Sequence, residues 1–437
     1  MQEKIELEIH IDPSQQGTYF TVPFNIPHDI EAIKLTYRYP RRPRLEESLE
    51  KGVFYGTPEK NIVDLGLISP KGIQVGASGS DKLEIQVSET DATPGYTPCP
   101  ILEGEWRIIV GAYKIAAEGV DVSYEITLVH KSVRLLKGDL HVHSVGSDGV
   151  HTLEELAFKA KANGLDFLAI TDHNQMVSQE ALPRIPGVTM IPGVEWTHYQ
   201  GHANFLGISR PYDEPFFTNT PKEVLARFTS AKNRGALTTV NHPFEGNSSF
   251  KFDLKSIPFD CLEVWNGPMR ESNLRAVGLW QQLLMSGTRI PISGGSDYHR
   301  DTPFIFLGGP TMCVYAMSAG SSDILAAVRQ GHGFITFAPN GPVIEMTAGD
   351  SIMGDLVDWN LVKELHIHID GLLSGDMVKV VTGEGTEPLF TATSDGSLEM
   401  CYAMDAAGFA RVEVLRAFLP GLPMLPALIS NPIYFTA

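Results

Sequence analysis

The first 135 residues alternate apolar and polar side chains in short runs, a pattern typical of β-strands that bury one face. Turn residues rich in proline and glycine separate the runs, for example at 13–17 and 94–98. No stretch of this region has the periodicity of a long helix, so it predicts a small β-sandwich domain over residues 1–135. The clearest alternating runs are residues 4–11, 33–37, 82–87, 106–110 and 122–129.

Between residues 136 and 338 the pattern changes to strand, loop and helix in turn. Thr152 and Thr220 are each followed three residues later by a glutamate, the capping box that opens a helix. Such alternation predicts a parallel barrel or a doubly wound sheet. The predicted helices are residues 152–164, 220–235, 274–286 and 322–330, and the predicted strands are 165–171, 188–191, 236–241, 261–265 and 290–293.

After about residue 339 helical periodicity stops and short alternating runs return. They predict a second β-sandwich over residues 339–437, with strands at 364–370, 377–381, 397–402 and 410–415. A chain of 437 residues is too long for one hydrophobic core. We therefore predict an α/β protein with a central barrel domain (136–338) between two β-sandwich domains (1–135 and 339–437).

Composition and charge exclude several classes of protein. No apolar run approaches the ~20 residues that a membrane span needs, and the N-terminus lacks a basic-then-apolar leader pattern, so we expect a cytoplasmic protein that does not bind membranes. The four cysteines form no C-x-x-C pair, which argues against a zinc knuckle or a disulfide framework. The formal charge of −18 opposes binding to a nucleic-acid backbone, and the oligomeric state is left open.

Candidate metal ligands recur where the predicted barrel strands end. His141 and His143 lie two residues apart, so on a strand both imidazoles point to one side. A mixture of imidazoles and carboxylates suits Zn²⁺, Mn²⁺ or Fe. Scattered structural histidines would not produce ligands at one strand end after another. The set comprises His141, His143, His173, Glu195, His202, His242, Asp297 and His299.

These motifs resemble those of the PHP (polymerase and histidinol phosphatase) superfamily of metal-dependent hydrolases. The matching regions, spread over residues 138–335, are His141-x-His143, Thr171-Asp172-His173, His242-Pro243 and Ser296-Asp297-x-His299. The resemblance implies a distorted (β/α)7 barrel with two or three metals at the carboxyl edge of its strands. The flanking regions, with Asn431-Pro432-Ile433, are more loosely similar to the branch that includes aryl-carbamate hydrolases.

Carried over by motif, the resemblance implies three metal positions. The first would be held by His141, His143, Glu195 and Asp297, with Glu195 bridging to a second. The second would also be held by His202 and His242, and the third by Asp148, His173 and His299.

Neighbouring metals lower the pKa of a shared water and stabilise charge on the substrate oxygen, so no serine or cysteine nucleophile is needed. Asp172 is predicted to orient a ligand histidine or, as the alternative, to carry a proton. Arg300 directly follows the last ligand and is the best-placed cation for a phosphate oxygen. We interpret a second His-x-His pair, His366 and His368, as structural, because no carboxylate motif accompanies it.

Three functions fit the sequence. The leading one is hydrolysis of a small-molecule phosphoester at a di- or trinuclear metal centre. Hydrolysis of a carboxyl or carbamate ester would use the same metals, and it stays open because Arg300, Arg210 and Arg270 are almost the only cations near the motifs. The third is a metal-stabilised binding scaffold without catalysis, which the complete ligand set opposes.

Overall fold

The computed structural model describes residues 3–42 and 59–437. Residues 1–2 and 43–58 of the predicted 1–135 domain lie outside these ranges. The leader prediction therefore falls partly outside the described residues. The chain forms two compact units, Met1–Ser132 and Val133–Ala437. No helix in the described ranges is long and apolar enough to cross a membrane.

The first unit contains eight described strands arranged in two antiparallel four-stranded sheets. One sheet has the order β1-β8-β3-β6 and the other has the order β2-β7-β4-β5. Fully buried side chains such as Leu35 and Trp106 belong to one shared core, which explains the period-two alternation of the sequence. The strands are β1 (Glu3–Ile11), β2 (Tyr19–Ile26), β3 (Ile30–Arg38), β4 (Ile62–Ile68), β5 (Gln74–Gly79), β6 (Glu84–Ser88), β7 (Gly104–Lys114) and β8 (Val120–His130).

The second unit begins with the alternating strands and helices that the sequence predicts. Its helices are α1 (Leu153–Ala162), α2 (Pro221–Asn233), α3 (Glu271–Met285) and α4 (Ser321–Gln330). Its first ten strands are β9 (Arg134–Asp139), β10 (Phe167–Ala169), β11 (Thr189–Ile191), β12 (Gly193–His198), β13 (Gly201–Leu206), β14 (Leu237–Val240), β15 (Cys261–Asn266), β16 (Ile292–Gly295), β17 (Thr311–Ala316) and β18 (Gly333–Thr336).

Capping explains where the first two helices start. Thr152 and Thr220 each accept a hydrogen bond from the backbone N–H three residues later, and the glutamate at that position bonds back to the threonine N–H. Both capping boxes are therefore present as predicted. The third helix starts at Glu271, three residues before the predicted start, and buries Ala276 and Trp280.

The strands of this region fall into two sheets whose ends meet. One sheet has the order β12-β13-β14-β15-β16, and the other runs β11-β10-β9-β17-β18 and beyond. Parallel bridges join Val142 to Tyr298 and His173 to Glu195, so the carboxyl ends of β9 and β10 are linked to β16 and β12. Because β12, β13 and β14 pair antiparallel, the strict strand–helix repeat is interrupted there. The mixed α/β class is confirmed, whereas the distorted (β/α)7 barrel stays a prediction.

The C-terminal strands continue the sheet of the preceding region. β18 pairs with β27, with Phe334 opposite Ser430 and Thr336 opposite Leu428. Backbone hydrogen bonds therefore cross the predicted boundary at residue 338, and the division into three domains stays a prediction. A separate four-stranded sheet has the order β20-β19-β22-β25. The strands are β19 (Val343–Ala348), β20 (Ser351–Ile352), β21 (Leu356–Asp358), β22 (Glu364–Leu372), β23 (Met377–Thr382), β24 (Thr386–Thr391), β25 (Gly396–Ala403), β26 (Gly408–Arg416), β27 (Leu425–Ser430) and β28 (Ile433–Thr436).

Candidate metal centre

His141 and His143 lie directly after β9 and are fully buried. The two imidazoles converge, as expected from their spacing. Asp297 Oδ1 lies 3.4 Å from His141 Nε2 and 3.0 Å from His143 Nε2. Two histidines and a carboxylate therefore direct their ligand atoms at one small volume.

Glu195, in β12, lies at the middle of the cluster and is fully buried. Its Oε1 is 3.3 Å from His141 Nε2 and, on the other side, 3.1 Å from His202 Nδ1 and 3.3 Å from His242 Nε2. Its Oε2 is 2.7 Å from His173 Nδ1 and 3.6 Å from His143 Nε2. One carboxylate thus contacts five histidines, an arrangement suited to bridging two cations.

The outer part of the cluster opens to solvent. Asp148 Oδ1 lies 3.1 Å from His299 Nε2 and 3.6 Å from His173 Nε2. The rings of His143 and His299 stack with centroids 4.1 Å apart, which connects this outer group to the buried pair. The Asp148 side chain is 59% exposed. A substrate would therefore reach the cluster from the side of Asp148.

All nine predicted ligands lie in this one cluster. In the described ranges their ligand atoms form four groups with separations within 4.8 Å: His143–Asp148–His173–His299, His141–His143–Glu195, His141–His242–Asp297 and His173–Glu195–His202. The resemblance put Asp297 with His143 and put His242 with His202. The geometric groups divide the ligands somewhat differently, since His242 here joins His141 and Asp297.

Several buried atoms of the cluster have no hydrogen-bond partner even though they lie close together. They include His141 Nε2, both ring nitrogens of His143, Glu195 Oε2, His242 Nδ1 and Asp297 Oδ1. Leaving buried polar atoms unsatisfied costs roughly 1–3 kcal/mol each. Because these are imidazole and carboxylate atoms facing one another, divalent cations between them would satisfy them. The residues present therefore fit a metal centre.

Charge coupling within the cluster is strong. Burial disfavours the charged form of His141, but the carboxylates of Asp297, Glu263 and Glu195 outweigh this and hold the pKa of His141 well above its usual value. Burial alone would raise the pKa of Glu195 and Asp297, yet His141 holds both well below the ordinary carboxyl range. Both carboxylates are therefore ionised at neutral pH and available as anionic ligands.

Two ligand positions have unusual backbone conformations. His242 and Asp297 have positive φ angles of 24° and 51°, which non-glycine residues rarely adopt. The backbone N–H of His242 donates to Glu263 Oε2 at 2.8 Å, which holds this conformation. Backbone strain of this kind is typical of functional sites.

Glu263, which the sequence analysis did not single out, supports the ligands from behind. It is buried in β15, and its Oε1 lies 2.9 Å from His141 Nδ1. Its other oxygen accepts from Asn266 Nδ2 at 3.2 Å. A carboxylate on the second nitrogen of a ligand histidine fixes the ring so that Nε2 faces the metal. The available signal was a lone acidic residue inside an otherwise apolar buried strand.

Asp139, immediately before the His pair, was also missed as a site residue. It is fully buried and accepts hydrogen bonds from the backbone N–H groups of Ser296 and Gly308, both at 2.9 Å, and of His141 at 3.2 Å. Burial raises the pKa of Asp139 to about 6, although these hydrogen bonds oppose the shift. Asp139 therefore ties the end of β9 to the loops around Asp297.

Asp172 follows β10 and contacts the loop after the His141 and His143 pair. Its carboxylate accepts from Ser144 N at 2.7 Å, Ser144 Oγ at 2.6 Å and Ser147 Oγ at 2.9 Å, and these bonds lead to serines rather than to a ligand histidine. Asp172 thus holds the 144–147 loop, which leads into Asp148, and its predicted role as an orienting residue or a proton carrier stays a prediction. The turn at residues 144–147 places two serine hydroxyls against the Asp172 carboxylate.

Arg300 lies at the exposed rim of the cluster. Its Nη2 is 3.5 Å from the backbone carbonyl of Asp148. Arg270 is instead engaged by Glu245, at 2.7 Å, and Arg210 by Asp213, at 3.0 Å. Among the three arginines considered from the sequence, Arg300 is thus the one whose hydrogen bond goes to a proposed ligand residue, whereas Arg270 contacts Asn266.

Three further polar residues near the ligands have protein partners. His198 stacks on Trp196 and its Nε2 lies 3.1 Å from the Thr218 carbonyl. Asn266 Nδ2 donates to Asp297 Oδ2 at 3.2 Å, and Asn204 Nδ2 donates to the Leu140 carbonyl at 3.2 Å. The two asparagines therefore support the site, whereas the contacts of His198 are with residues outside the ligand set.

Residues 139–224 match the sequence profile of the PHP domain family. This segment contains six of the nine proposed ligands: His141, His143, Asp148, His173, Glu195 and His202. This segment therefore resembles a PHP domain, which bears out the predicted likeness to the PHP superfamily. The looser likeness to the branch with aryl-carbamate hydrolases stays a prediction.

Similar proteins match parts of the chain. DNA polymerase/3'-5' exonuclease PolX of Bacillus subtilis (strain 168) is 28% identical over 127 residues, which are 28% of this chain and 21% of PolX. A probable phosphatase of Vibrio campbellii is 28% identical over 197 residues, or 38% of this chain and 78% of the phosphatase. The chain thus spans about a fifth of the length of PolX but most of the phosphatase.

One solved structure is a two-domain protein from Bacteroides vulgatus, described as containing a predicted PHP-like metal-dependent phosphoesterase. It is 18% identical, with a TM-score of 0.41, over 68% of this chain and 95% of that protein.

Proposed function

We propose that this protein is a metal-dependent hydrolase that cleaves a small-molecule phosphoester. The observation that carries the proposal is Glu195, whose two oxygens lie within 3.6 Å of ring nitrogens of five histidines. A solvent-open side at Asp148 gives a substrate access. The PHP domain match and the partial likeness to a probable phosphatase support the same class of reaction.

The proposed ligands are the nine residues of the cluster, with Glu195 shared between metals. Two or three divalent transition metals would bind there, and Zn, Mn and Fe all suit the donor set. When bound, such metals lower the pKa of water and polarise the ester oxygen, which supplies the nucleophile and the electrophilic activation.

The chain's own residues hold this arrangement in place. Glu263 fixes the ring of His141, and Asn266 holds Asp297 through Oδ2. Asp172 fixes the loop that leads to Asp148. Arg300, exposed beside Asp148, would contact a phosphate oxygen.

A carboxyl or carbamate ester is the second candidate, because the site offers few fixed cations. Arg270 and Arg210 pair with acidic residues, which leaves Arg300 as the arginine of these three for a phosphate group. A phosphate monoester site ordinarily uses fixed cations in addition to metals. A nucleic-acid substrate stays open because PolX is named as an exonuclease, although the charge of −18 opposes it.

The test is turnover by metal-reconstituted protein of a panel of phosphomonoesters, phosphodiesters, carboxyl esters and carbamates, with a single-stranded oligonucleotide included. We expect hydrolysis of a small phosphoester that disappears after chelation and returns with Zn²⁺, Mn²⁺ or Fe²⁺. Preferential cleavage of carboxyl esters would favour the second candidate. Metal-loaded protein that cleaves none of these compounds would contradict a hydrolase.

A further inference from the structure

A pocket of about 560 Å³ lies between α3 and the C-terminal strands β23 and β26. Lys379 pairs with Glu413 across these strands, and Arg411, two residues before Glu413, lies on the same face of the sheet. The opposite face belongs to an apolar core that includes Val380 and Val412. The face with the three charged residues therefore lines this pocket, which we call the α3 pocket.

Arg411 is the most deeply buried charged residue of the α3 pocket and is 2% exposed. Its Nη1 donates to Glu413 Oε1, its Nε donates to Gln281 Oε1 at 3.1 Å, and its guanidinium carbon lies 4.7 Å from the ring centroid of Trp280. Gln281 Nε2 in turn donates to the Thr382 carbonyl at 2.8 Å, which ties α3 to β23. These contacts fix the guanidinium, and among the described residues none accepts a hydrogen bond from its Nη2.

The buried charges of this network do not balance. Lys379 Nζ lies 2.7 Å from Glu413 Oε2, so one carboxylate is shared by two cations. Burial raises the pKa of Glu413, but Arg411 and Lys379 outweigh this and hold it below its usual value, so Glu413 is ionised at neutral pH. Glu384, also in the lining, lies in the exposed turn after β23, where water weakens its interactions. Buried charges in proteins are normally paired, so the second cation favours a further anion.

Gly278, in the interior of α3, leaves open space in the same pocket. A Cβ at this position would meet no neighbouring heavy atom within 4 Å, although glycine is unfavourable inside a helix. The remaining wall is largely apolar, and about 560 Å³ is within the range of small-molecule pockets. Apolar side chains of this wall are Leu274, Val277, Met285, Leu415, Met424 and Leu425.

We propose that the α3 pocket binds a small organic carboxylate, whose anionic group pairs with Arg411 and Lys379 while its hydrocarbon part contacts the apolar wall. One carboxylate supplies the single negative charge that the two cations and Glu413 lack, and its oxygens match the N–H donors of a guanidinium. A hydrocarbon chain would bury the exposed surface of Leu274 and Met285, which are 44% and 59% exposed. The binding needs no metal, so the inference is independent of the proposed hydrolysis.

The experiment measures octanoate binding to the full-length, metal-reconstituted protein by isothermal titration calorimetry. 1-Octanol keeps the chain without the charge, and acetate keeps the charge without the chain. We expect octanoate to bind, 1-octanol to bind about 10–100-fold more weakly, and acetate to bind at least about 100-fold more weakly. Absence of octanoate binding would overturn the inference. Equal affinity for 1-octanol or for acetate would also overturn it, because the pocket would then recognise only one part of the ligand.

Two variants locate the binding. Lys379→Met removes the excess charge and keeps an unbranched side chain, while Gly278→Leu fills the open space with a better helix former. Each should weaken octanoate binding about tenfold or more. Lys222→Met and Ala226→Leu make similar changes at exposed positions of α2, outside the pocket, and should leave binding unchanged.

Thermal unfolding checks that each variant is folded, and either pocket variant alone suffices for the test. Octanoate bound by the metals, or by another apolar surface, would bind the pocket variants and the α2 controls with equal affinity. That result would overturn the inference while leaving the proposed function untouched.

Discussion

The chain contains two His-x-His pairs with the same spacing and different surroundings. His141 and His143 are fully buried and face the carboxylates of Glu195 and Asp297. His366 lies on the exposed side of β22, with its Nδ1 3.2 Å from Cys401 Sγ, and His368 Nε2 lies 3.2 Å from Asp370 Oδ2. The spacing sets only that two rings share one side of a strand.

Burial and convergence distinguish the two regions. The first pair is surrounded by ligand residues from the ends of several strands. Several buried nitrogen and oxygen atoms of this group have no hydrogen-bond partner. At the second, Glu364, His366 and Cys401 offer ligand atoms within 4.8 Å, but all three residues are exposed. Water can solvate exposed groups, so their closeness requires no cation. The comparison teaches that ligand type and spacing predict a centre only when other strands deliver buried partners.

The largest expected effect is that of Glu195→Gln. The substitution keeps the shape but removes one of the three proposed anionic ligands, with Asp148 and Asp297 remaining, and so weakens two metals together. We expect wild-type protein to carry two to three equivalents of transition metal and the variant less than one, with activity lowered by more than about 100-fold. Elemental analysis and ester turnover measure the two effects.

Glu364→Gln is the matched control, because it makes the same chemical change in the exposed group. It should keep the wild-type metal content and activity. Wild-type protein that holds less than one equivalent before chelation would count against the metal centre. Full metal content in the Glu195 variant would contradict the proposal that this carboxylate is shared between two metals.

Glu263→Gln should have the next largest effect. Its amide can contact His141 Nδ1 but lacks the charge that holds the ring and stabilises it beside a cation. We expect a loss of about 100-fold in metal affinity or kcat, the upper end for residues that orient ligands. Titration of chelated protein with Zn²⁺ measures the affinity, and thermal unfolding of the metal-free variant separates this from lost stability. Unchanged affinity would mean that His141 needs no support from β15.

Asp172→Asn should cost roughly 10–100-fold in activity or affinity, because every proposed ligand stays in place. Only the hydrogen bonds to Ser144 and Ser147 weaken, so the loss should concern the metal held by Asp148. Metal content should therefore fall by at most one equivalent. Loss of all metal from this variant would contradict a role confined to the loop.

Local rules predicted the helices and the strand ends well. The capping boxes at Thr152 and Thr220 are local, so sequence alone placed the starts of α1 and α2. Eight of the nine ligands could be proposed because ligand residues follow predicted strands, and the resemblance to the PHP superfamily added Asp148. The structure brings all nine together, while their roles stay proposals. Helix starts and strand ends can be predicted from sequence because the residues that determine them are neighbours in the chain.

Long-range pairing could not be predicted in the same way. Glu263 reaches His141 across 122 positions, and β18 pairs with β27 from the far end of the chain. Alternation tells which residues of a strand are buried but not which strand lies beside it. Asp172 illustrates the same limit, since its serine partners depend on how the 144–147 loop turns.

The smallest expected effect is that of His366→Ala. His366 lies on an exposed strand face, and its nearest partner is the exposed Cys401, so its loss leaves no buried group unsatisfied. Metal content, ester turnover and thermal stability should all equal those of wild-type protein, with any change in the free energy of unfolding within about 0.5 kcal/mol. The three substitutions should thus rank Glu195 first, Asp172 second and His366 last. If His366→Ala lost metal while Glu195→Gln kept it, the catalytic centre would lie on the C-terminal sheet, and the contrast between the two pairs would be reversed.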